Sequence, residues 1–124
     1  EGLRRLHALK TGRLLRAGVT TATAVAGLTE EARAPWRSFG DELGVLFQIV
    51  DDILDATGTA EELGKTPGKD EAAGKLTYVS LHGLERAREL ADDAQARVEE
   101  RLASLPGDTS VLAELVAAIH DRHS

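Results

Sequence analysis

The chain has 124 residues, an apolar content of 42% and a formal net charge of -6 at pH 7. This length suits one domain with a buried core, and the acidic balance argues against nucleic-acid binding, which relies on clustered Lys and Arg. The absence of cysteine excludes disulfides and thiolate metal sites. No segment has the ~20 apolar residues of a membrane-spanning helix, so we expect a cytoplasmic protein.

Apolar residues recur every three or four positions, which predicts an all-α fold of four helices. The first helix is predicted from about Leu3 to Val25 and ends before Gly27; the small residues of its second half would let a neighbouring helix approach closely. The second helix ends before Gly58. Its apolar stripe consists of Trp36, Phe39, Leu43, Leu46, Val50 and Ile53.

A loop rich in glycine and lysine is predicted from Gly58 to Gly74. A long helix should follow from about Tyr78 to Leu102, before Pro106 and Gly107. Asp108 and Ser110 are candidate caps of the last helix. The inward positions are predicted to be Leu84, Ala87, Ala91, Ala94, Val98 and Leu102 in the long helix, and Leu112, Leu115, Val116 and Ile119 in the last.

Asp51, Asp52 and Asp55 form a DDxxD pattern on the second helix. Residues four apart stack on one helix face, about 5–6 Å from each other, so Asp51 and Asp55 are neighbours and Gln48 lies one turn earlier. Mg²⁺ typically takes one or two carboxylates together with water and substrate phosphate. An acidic cluster is more often an ordinary solvated face. Here, however, the negative end of the helix dipole disfavours each aspartate by about 0.3–1 kcal/mol, and we therefore favour metal binding.

Three Gly-Lys pairs follow the acidic cluster and contain Lys65, Lys69 and Lys75. Glycine lets the backbone approach a ligand, and lysine is a compact cation suited to phosphate. A flexible solvated loop is an equally good interpretation of this segment alone, but the adjacent carboxylates favour a metal-bridged diphosphate. A nucleotide P-loop is excluded, because Thr59 stands where that motif needs glycine and no strand precedes it.

Lys10 and Thr11 lie on or beside the apolar row of the first helix, where a charged side chain either reaches the surface or points into a polar cavity. Taken alone, the surface position is the better interpretation. The histidines show no metal-ligand spacing, so the sequence assigns no role to them. They are His7, His82, His120 and His123.

Four segments, in this order, resemble the trans-isoprenyl diphosphate synthase family. FQIVDDILD is similar to its second aspartate-rich motif, and LHALKTGRLLRAG is similar to its Lys-Thr helix. LGKTPGKDEAAGKLTYVSL resembles its lysine-bearing loop, and GDTSVLAELVAAIHDRHS resembles the C-terminal end of bacterial farnesyl diphosphate synthases. The resemblance covers essentially all 124 residues and implies the C-terminal part of an isoprenoid-synthase helical bundle.

The resemblance implies a prenyltransferase that joins an allylic diphosphate to isopentenyl diphosphate through Mg²⁺-assisted ionisation. Asp51 and Asp55 would hold Mg²⁺, with Asp52 supporting them. Three lysines would contact the allylic diphosphate, namely Lys10, Lys65 and Lys75. Thr11 and Gln48 would offer oxygen dipoles to the developing cation, and Phe47 would line the prenyl pocket.

The family's first aspartate-rich motif and isopentenyl-binding residues do not occur in the chain, which implies that they lie before Glu1 in an N-terminal part of the same protein. The 124 residues alone are therefore expected to be inactive. We expect a homodimer, and the C-terminal likeness leans towards farnesyl diphosphate as the product. Two alternatives stay open: a class I terpene cyclase, which consumes a single substrate, and a non-catalytic helical subunit or interaction module.

Overall fold

The computed structural model describes residues 11–58, 74 and 76–123. The regular structure in these ranges is entirely helical, which confirms the predicted all-α class, although there are five helices in them rather than four. None of these helices combines the length and apolarity needed to span a bilayer. The helices are α1 (Arg13–Val25), α2 (Glu30–Thr57), α3 (Tyr78–His82), α4 (Leu84–Ala103) and α5 (Ser110–Asp121).

Helix α2 is the centre of the fold and carries the predicted apolar stripe. The hydroxyl of Thr29 accepts a hydrogen bond from the Ala32 N–H at 3.2 Å, and two glutamates occupy the first turn, both of which stabilise a helix N-terminus. The helix ends at Thr57 with Gly58 as its cap, as predicted. Trp36 is partly buried, and the rest of the stripe is buried: Phe39, Leu43, Leu46, Val50 and Ile53.

The prediction of a single long helix from Tyr78 to Leu102 is wrong, because the chain forms two helices there. Gly83 has φ 82° and ψ 161°, a conformation open to glycine that interrupts the helix between α3 and α4. Helix α4 packs mainly on α2, and its small inward side chains allow this close contact. The inward residues of α4 are buried as predicted: Ala87, Ala91, Ala94, Val98 and Leu102.

The cap of α5 differs from both predicted candidates, because Thr109 occupies the N-cap position. Asp108 instead accepts a hydrogen bond from the Ser110 N–H at 3.0 Å, and this bond together with the Ser110 hydroxyl holds the pKa of Asp108 below its ordinary value. The resulting stabilisation is present above the unfolded pKa of about 3.9 and is lost as the pH falls through the folded pKa. Val116 and Ile119 are buried as predicted.

One prediction about packing is wrong, because Leu115 of α5, expected to face inwards, is 46% exposed. Helix α1 ends at Val25, and Gly27 has a φ of 78°, as expected of a helix stop. The small residues of α1 are exposed among the described residues, and the close approach of a further helix to them stays a prediction. These small residues are Ala17, Gly18, Ala22, Ala24 and Ala26.

The close contact between α1 and α2 uses glycines of α2 instead. The two helices run antiparallel, since Gly44 faces Gly12 while Gly40, one turn earlier, faces Val19. A Cβ atom added at Gly44 would lie 2.6 Å from the Gly12 Cα atom, closer than real Cβ atoms approach. This contact places the N-terminal end of α1 beside the turn of α2 that leads to Gln48.

We expect Gly44→Ala to lower the free energy of unfolding by about 1–3 kcal/mol, because its methyl group would meet backbone that cannot rotate away. Gly18→Ala is the matched control, since nothing lies within 4 Å of a Cβ added there. This control should be stabilised by about 0.5–1 kcal/mol through the better helix propensity of alanine. Urea unfolding followed by circular dichroism measures both, and equal stability of the two variants would contradict the close approach.

Candidate active site at the aspartate-rich motif

The aspartate-rich motif lies in the last two turns of α2, directly before Gly58. Its three carboxylates differ in environment: Asp51 is partly buried, whereas Asp52 and Asp55 are only 2% and 3% exposed. A solvated acidic face would leave all three in water, because charged side chains are rarely buried without a partner. The burial of Asp52 and Asp55 therefore disfavours the solvated-face interpretation.

Asp52 is fixed by two hydrogen bonds from the protein. Its Oδ1 accepts from Gln48 Nε2 at 2.9 Å, and its Oδ2 accepts from the backbone N–H of Tyr78, also at 2.9 Å. Hydrogen bonds to a charged acceptor are roughly twice as strong as neutral ones. Asp52 therefore ties the end of α2 to the first residue of α3, which lies 26 positions further along the chain.

The same contact anchors the far end of the lysine-bearing segment. This segment leaves α2 at Gly58 and returns at Thr77, where Thr77 and Ser80 cap α3 reciprocally. The Ser80 N–H donates to Thr77 Oγ1 at 3.0 Å, and the Thr77 N–H donates to Ser80 Oγ at 2.8 Å. Both ends of the segment are thus held next to the aspartates.

Gln48 is 7% exposed, and its bond to Asp52 determines which way its amide group faces. Only the NH₂ group can donate to a carboxylate, so the amide nitrogen of Gln48 faces Asp52 and its carbonyl oxygen does not. Thr11 is partly buried and directly precedes Gly12, which contacts Gly44 one turn before Gln48. The structure thus brings Thr11 to the part of α2 that carries the motif.

Phe47, the predicted lining residue of a prenyl pocket, is partly buried against the core. The Arg122 guanidinium carbon lies 6.0 Å from the centroid of its ring, which is the outer limit of a cation–π contact. Four residues singled out in the sequence lie outside the described residues, and three of them are the predicted diphosphate ligands. They are Lys10, Lys65, Lys75 and Lys69.

The donor set of the motif suits Mg²⁺. Asp51 and Asp55 share one face of α2, and carboxylate oxygens are the protein ligands that this ion prefers. Both oxygens of Asp52 already accept N–H donors, which suits this residue to orienting its neighbours more than to direct coordination. The donors therefore fit a metal held by Asp51 and Asp55.

The hydrogen bond between Asp52 and Tyr78 was not predicted from the sequence. The position of Tyr78 at the start of a helix does have a local signal, because Thr77 and Ser80 stand three residues apart at the start of an apolar run, as in a capping box. That signal fixes where α3 begins. It does not reveal which acceptor receives the Tyr78 N–H, because the acceptor lies on another helix.

We expect Asp52→Asn to lower the free energy of unfolding by about 1–3 kcal/mol, because its amide NH₂ group must face one of two N–H donors. Asp41→Asn is the matched control: Asp41 lies 3.6 Å from Arg16, and both side chains are 50% exposed. Such surface pairs contribute about 0–1 kcal/mol. Thermal or urea unfolding compares the two variants, and equal losses would show that Asp52 does not connect α2 to α3.

The fold is similar to a solved structure of a geranyltransferase from Helicobacter pylori complexed with magnesium and isoprenyl diphosphate. The TM-score is 0.79 at 34% sequence identity, over 97% of this chain and 39% of that chain. The chain is also 44% identical over 125 residues to geranylgeranyl pyrophosphate synthase 3, chloroplastic, of Arabidopsis thaliana, covering 100% of this chain and 35% of that protein. A geranylgeranyl pyrophosphate synthase, chloroplastic, of Catharanthus roseus is 41% identical over 117 residues, covering 94% and 32%.

The chain thus spans about a third of the length of these curated relatives. Their names refer to geranylgeranyl rather than farnesyl diphosphate, so the leaning towards a farnesyl product gains no support from them. They are also named as chloroplastic, and the cytoplasmic location stays a prediction. A family model described as polyprenyl synthetase matches residues 1–119, and the chain therefore belongs to the polyprenyl synthetase family.

Proposed function

We propose that this chain supplies the part of a trans-prenyltransferase that binds and ionises an allylic diphosphate, which the whole enzyme joins to isopentenyl diphosphate. The observation that carries the proposal is the hydrogen bond from Tyr78 to Asp52, since it ties the residue that follows the lysine-bearing segment to the aspartate cluster. A diphosphate needs cations on several sides to offset its charge. The aspartates would supply the metal ligands, and the lysines between Gly58 and Thr77 would supply further positive charge.

We assign a different role to each residue of the site. Asp51 and Asp55 would hold Mg²⁺, which when bound offsets the negative charge on the departing diphosphate. Asp52 positions Gln48 and the end of the lysine segment, and the carbonyl oxygen of Gln48 stabilises the allylic cation together with Thr11. Phe47 lines the prenyl pocket. The lysines that contact the diphosphate are Lys10, Lys65 and Lys75.

The proposed product is geranylgeranyl diphosphate, because the curated relatives that match essentially the whole of this chain are named geranylgeranyl pyrophosphate synthases. The full-length enzyme should be incubated with Mg²⁺ and an allylic diphosphate, with and without isopentenyl diphosphate, and the products separated by chain length. Products that form only with isopentenyl diphosphate support prenyl transfer. A product formed from the allylic diphosphate alone would favour the terpene cyclase, and a farnesyl product would refute only the proposed chain length.

The non-catalytic alternative is tested by the aspartates themselves. An interaction module should bind its partner unchanged after all three aspartates are replaced by asparagine, whereas the proposed enzyme should lose turnover. No observation favours this alternative over the enzyme, since a docking surface does not require buried carboxylates at a helix end.

We expect Mg²⁺ to bind weakly to the protein alone and more tightly once inorganic diphosphate is present, because phosphate oxygens complete a coordination sphere to which the protein gives few ligands. Calorimetric titration of Mg²⁺, with and without diphosphate, measures this mutual enhancement. Asp51→Asn should abolish the enhancement, whereas Asp41→Asn, on the exposed surface of α2, should retain it. Enhancement that survives Asp51→Asn and Asp55→Asn would contradict the metal assignment.

A further inference from the structure

One carboxylate and two imidazoles meet where the end of α5 lies against α4. Asp92 belongs to α4, His120 lies in the last turn of α5, and His123 follows that helix directly. Each residue offers one ligand atom, and these three atoms all lie within 4.8 Å of one another. The sequence alone assigns no role to these histidines, because Asp92 and His120 are 28 positions apart and only the packing of α5 on α4 joins them.

Both imidazoles of this cluster turn their Nδ1 atom towards an oxygen. His120 Nδ1 lies 3.5 Å from the Oδ1 atom of Asp121, and His123 Nδ1 makes a hydrogen bond with the backbone carbonyl of His120. An Nδ1–H directed at an oxygen leaves the lone pair on Nε2, which is the arrangement commonly found in histidines that bind metals. Metal binding through Nε2 requires the tautomer with a proton on Nδ1, and the oxygens beside both Nδ1 atoms can accept that proton.

A short contact joins His120 to Asp92. His120 Nε2 lies 2.7 Å from Asp92 Oδ1, a distance at which a neutral imidazole donates an ordinary hydrogen bond from Nε2–H when no metal is bound. A metal ion would displace that proton and take both atoms as ligands. His123 adds a third ligand atom within 4.8 Å, which the hydrogen bond between His120 and Asp92 does not use.

We propose that Asp92, His120 and His123 bind a divalent transition metal ion, with Zn²⁺ as the best match to their chemistry. Two imidazoles and one carboxylate are a common zinc donor set, in which water takes the remaining position. Mg²⁺ prefers oxygen ligands alone, which separates this site chemically from Asp51 and Asp55.

Only a small adjustment of the side chains is needed. Bond lengths of about 2.0–2.2 Å in a tetrahedral zinc site place ligand atoms roughly 3.3–3.6 Å apart, so Asp92 must move slightly away from His120 while His123 moves closer. The Asp92 side chain is 66% exposed and free to adjust, whereas that of His120 is 16% exposed and already held by its neighbours. The bound ion would fasten the last turn of α5 to α4.

The test titrates Zn²⁺ into the purified full chain in competition with a chromogenic chelator. Co²⁺ serves as a spectroscopic substitute, whose visible absorption reports on nitrogen coordination. We expect one ion per chain, and His120→Gln or His123→Gln should each weaken binding by at least about tenfold. The matched controls are the exposed His82→Gln and Asp93→Asn, which should bind within about twofold of the parent chain.

Circular dichroism of each variant separates loss of a ligand from loss of the fold. A crystal grown with Zn²⁺ provides a second measurement, because anomalous scattering should place the ion between Asp92, His120 and His123. Zinc binding that is unchanged by both histidine substitutions would overturn the proposal. Binding that disappears with Asp51→Asn would also overturn it, because the ion would then belong to the aspartate-rich motif.

Discussion

In the full-length enzyme, Asp51→Asn is expected to lower kcat/KM for prenyl transfer by at least about 100-fold, since it would remove a proposed ligand of the ion that offsets charge on the leaving group. The same change should leave the free energy of unfolding nearly unaltered or slightly raised. Asp51 is partly exposed and stands at the negative end of the α2 dipole, where loss of a negative charge is worth about 0.3–1 kcal/mol. Steady-state kinetics and urea unfolding of the same preparation measure both effects.

A substitution at the neighbouring Asp52 shows whether the expected loss of activity is specific to Asp51. Asp52→Asn should lower stability, because Asp52 is buried between Gln48 and Tyr78, and it should impair turnover only by shifting those groups. Asp41→Asn, on the exposed surface of the same helix, should change neither quantity by much. If the Asp51→Asn enzyme kept more than about a tenth of the parent activity, Asp51 would not be the metal ligand that we propose.

Opposite effects at two adjacent carboxylates have a structural cause. Successive residues of a helix point about 100° apart, so Asp51 and Asp52 enter different environments. Asp52 turns towards the start of α3, whereas Asp51 shares its face with Asp55, one turn later. In the proposed site, the DDxxD spacing would therefore combine metal ligands with the support that holds them in place.

The sequence predicts well what depends on near neighbours along the chain. The apolar stripe of α2, the stop at Gly27 and the inward face of α4 all follow from residues within one or two helical turns. The break at Gly83 was missed because a lone glycine inside a helical pattern is usually tolerated. The exposure of Leu115 was missed for another reason, since a pattern shows which face of a helix is apolar and not whether anything covers it.

Contacts between distant segments could not be predicted from spacing. The approach of Gly44 to Gly12 depends on how two helices cross, and the cluster of Asp92 with His120 depends on how α5 lies on α4. The resemblance to a family was informative for the aspartate site, because it links motifs that lie far apart along the chain to one site. It says nothing about the histidines, which only the packing of α5 on α4 brings close to Asp92.

The 124 residues by themselves are expected to catalyse no prenyl transfer, and adding the separately expressed N-terminal part of the enzyme should restore it. The chain carries a single aspartate-rich motif and spans about a third of its curated relatives. If the site for isopentenyl diphosphate lies outside these residues, as the resemblance implies, the reaction would lose positioning that is worth about 7–11 kcal/mol in well-oriented cases. Turnover should therefore require both parts.

We expect the N-terminal part to pack on an exposed apolar surface of α1 and α2. An apolar cavity of about 390 Å³ lies between α1, α2 and Leu112 of α5, and Leu14 and Val25 of α1 are 74% and 85% exposed. Trp36, the only tryptophan in the chain, lines this cavity, and its indole nitrogen has no hydrogen-bond partner among the described residues. Exposed apolar surface of this kind marks a site of contact with another segment.

Trp36 makes the association visible in the experiment that tests this prediction. An N-terminal part without tryptophan, obtained by substitution where necessary, should shift the emission of the chain as the cavity closes, and turnover should rise over the same concentration range. Trp36→Phe serves as the control, since it removes the signal while keeping an aromatic side chain in place. Prenyl transfer by the 124 residues alone would refute the prediction, and so would association that leaves the fluorescence of Trp36 unchanged.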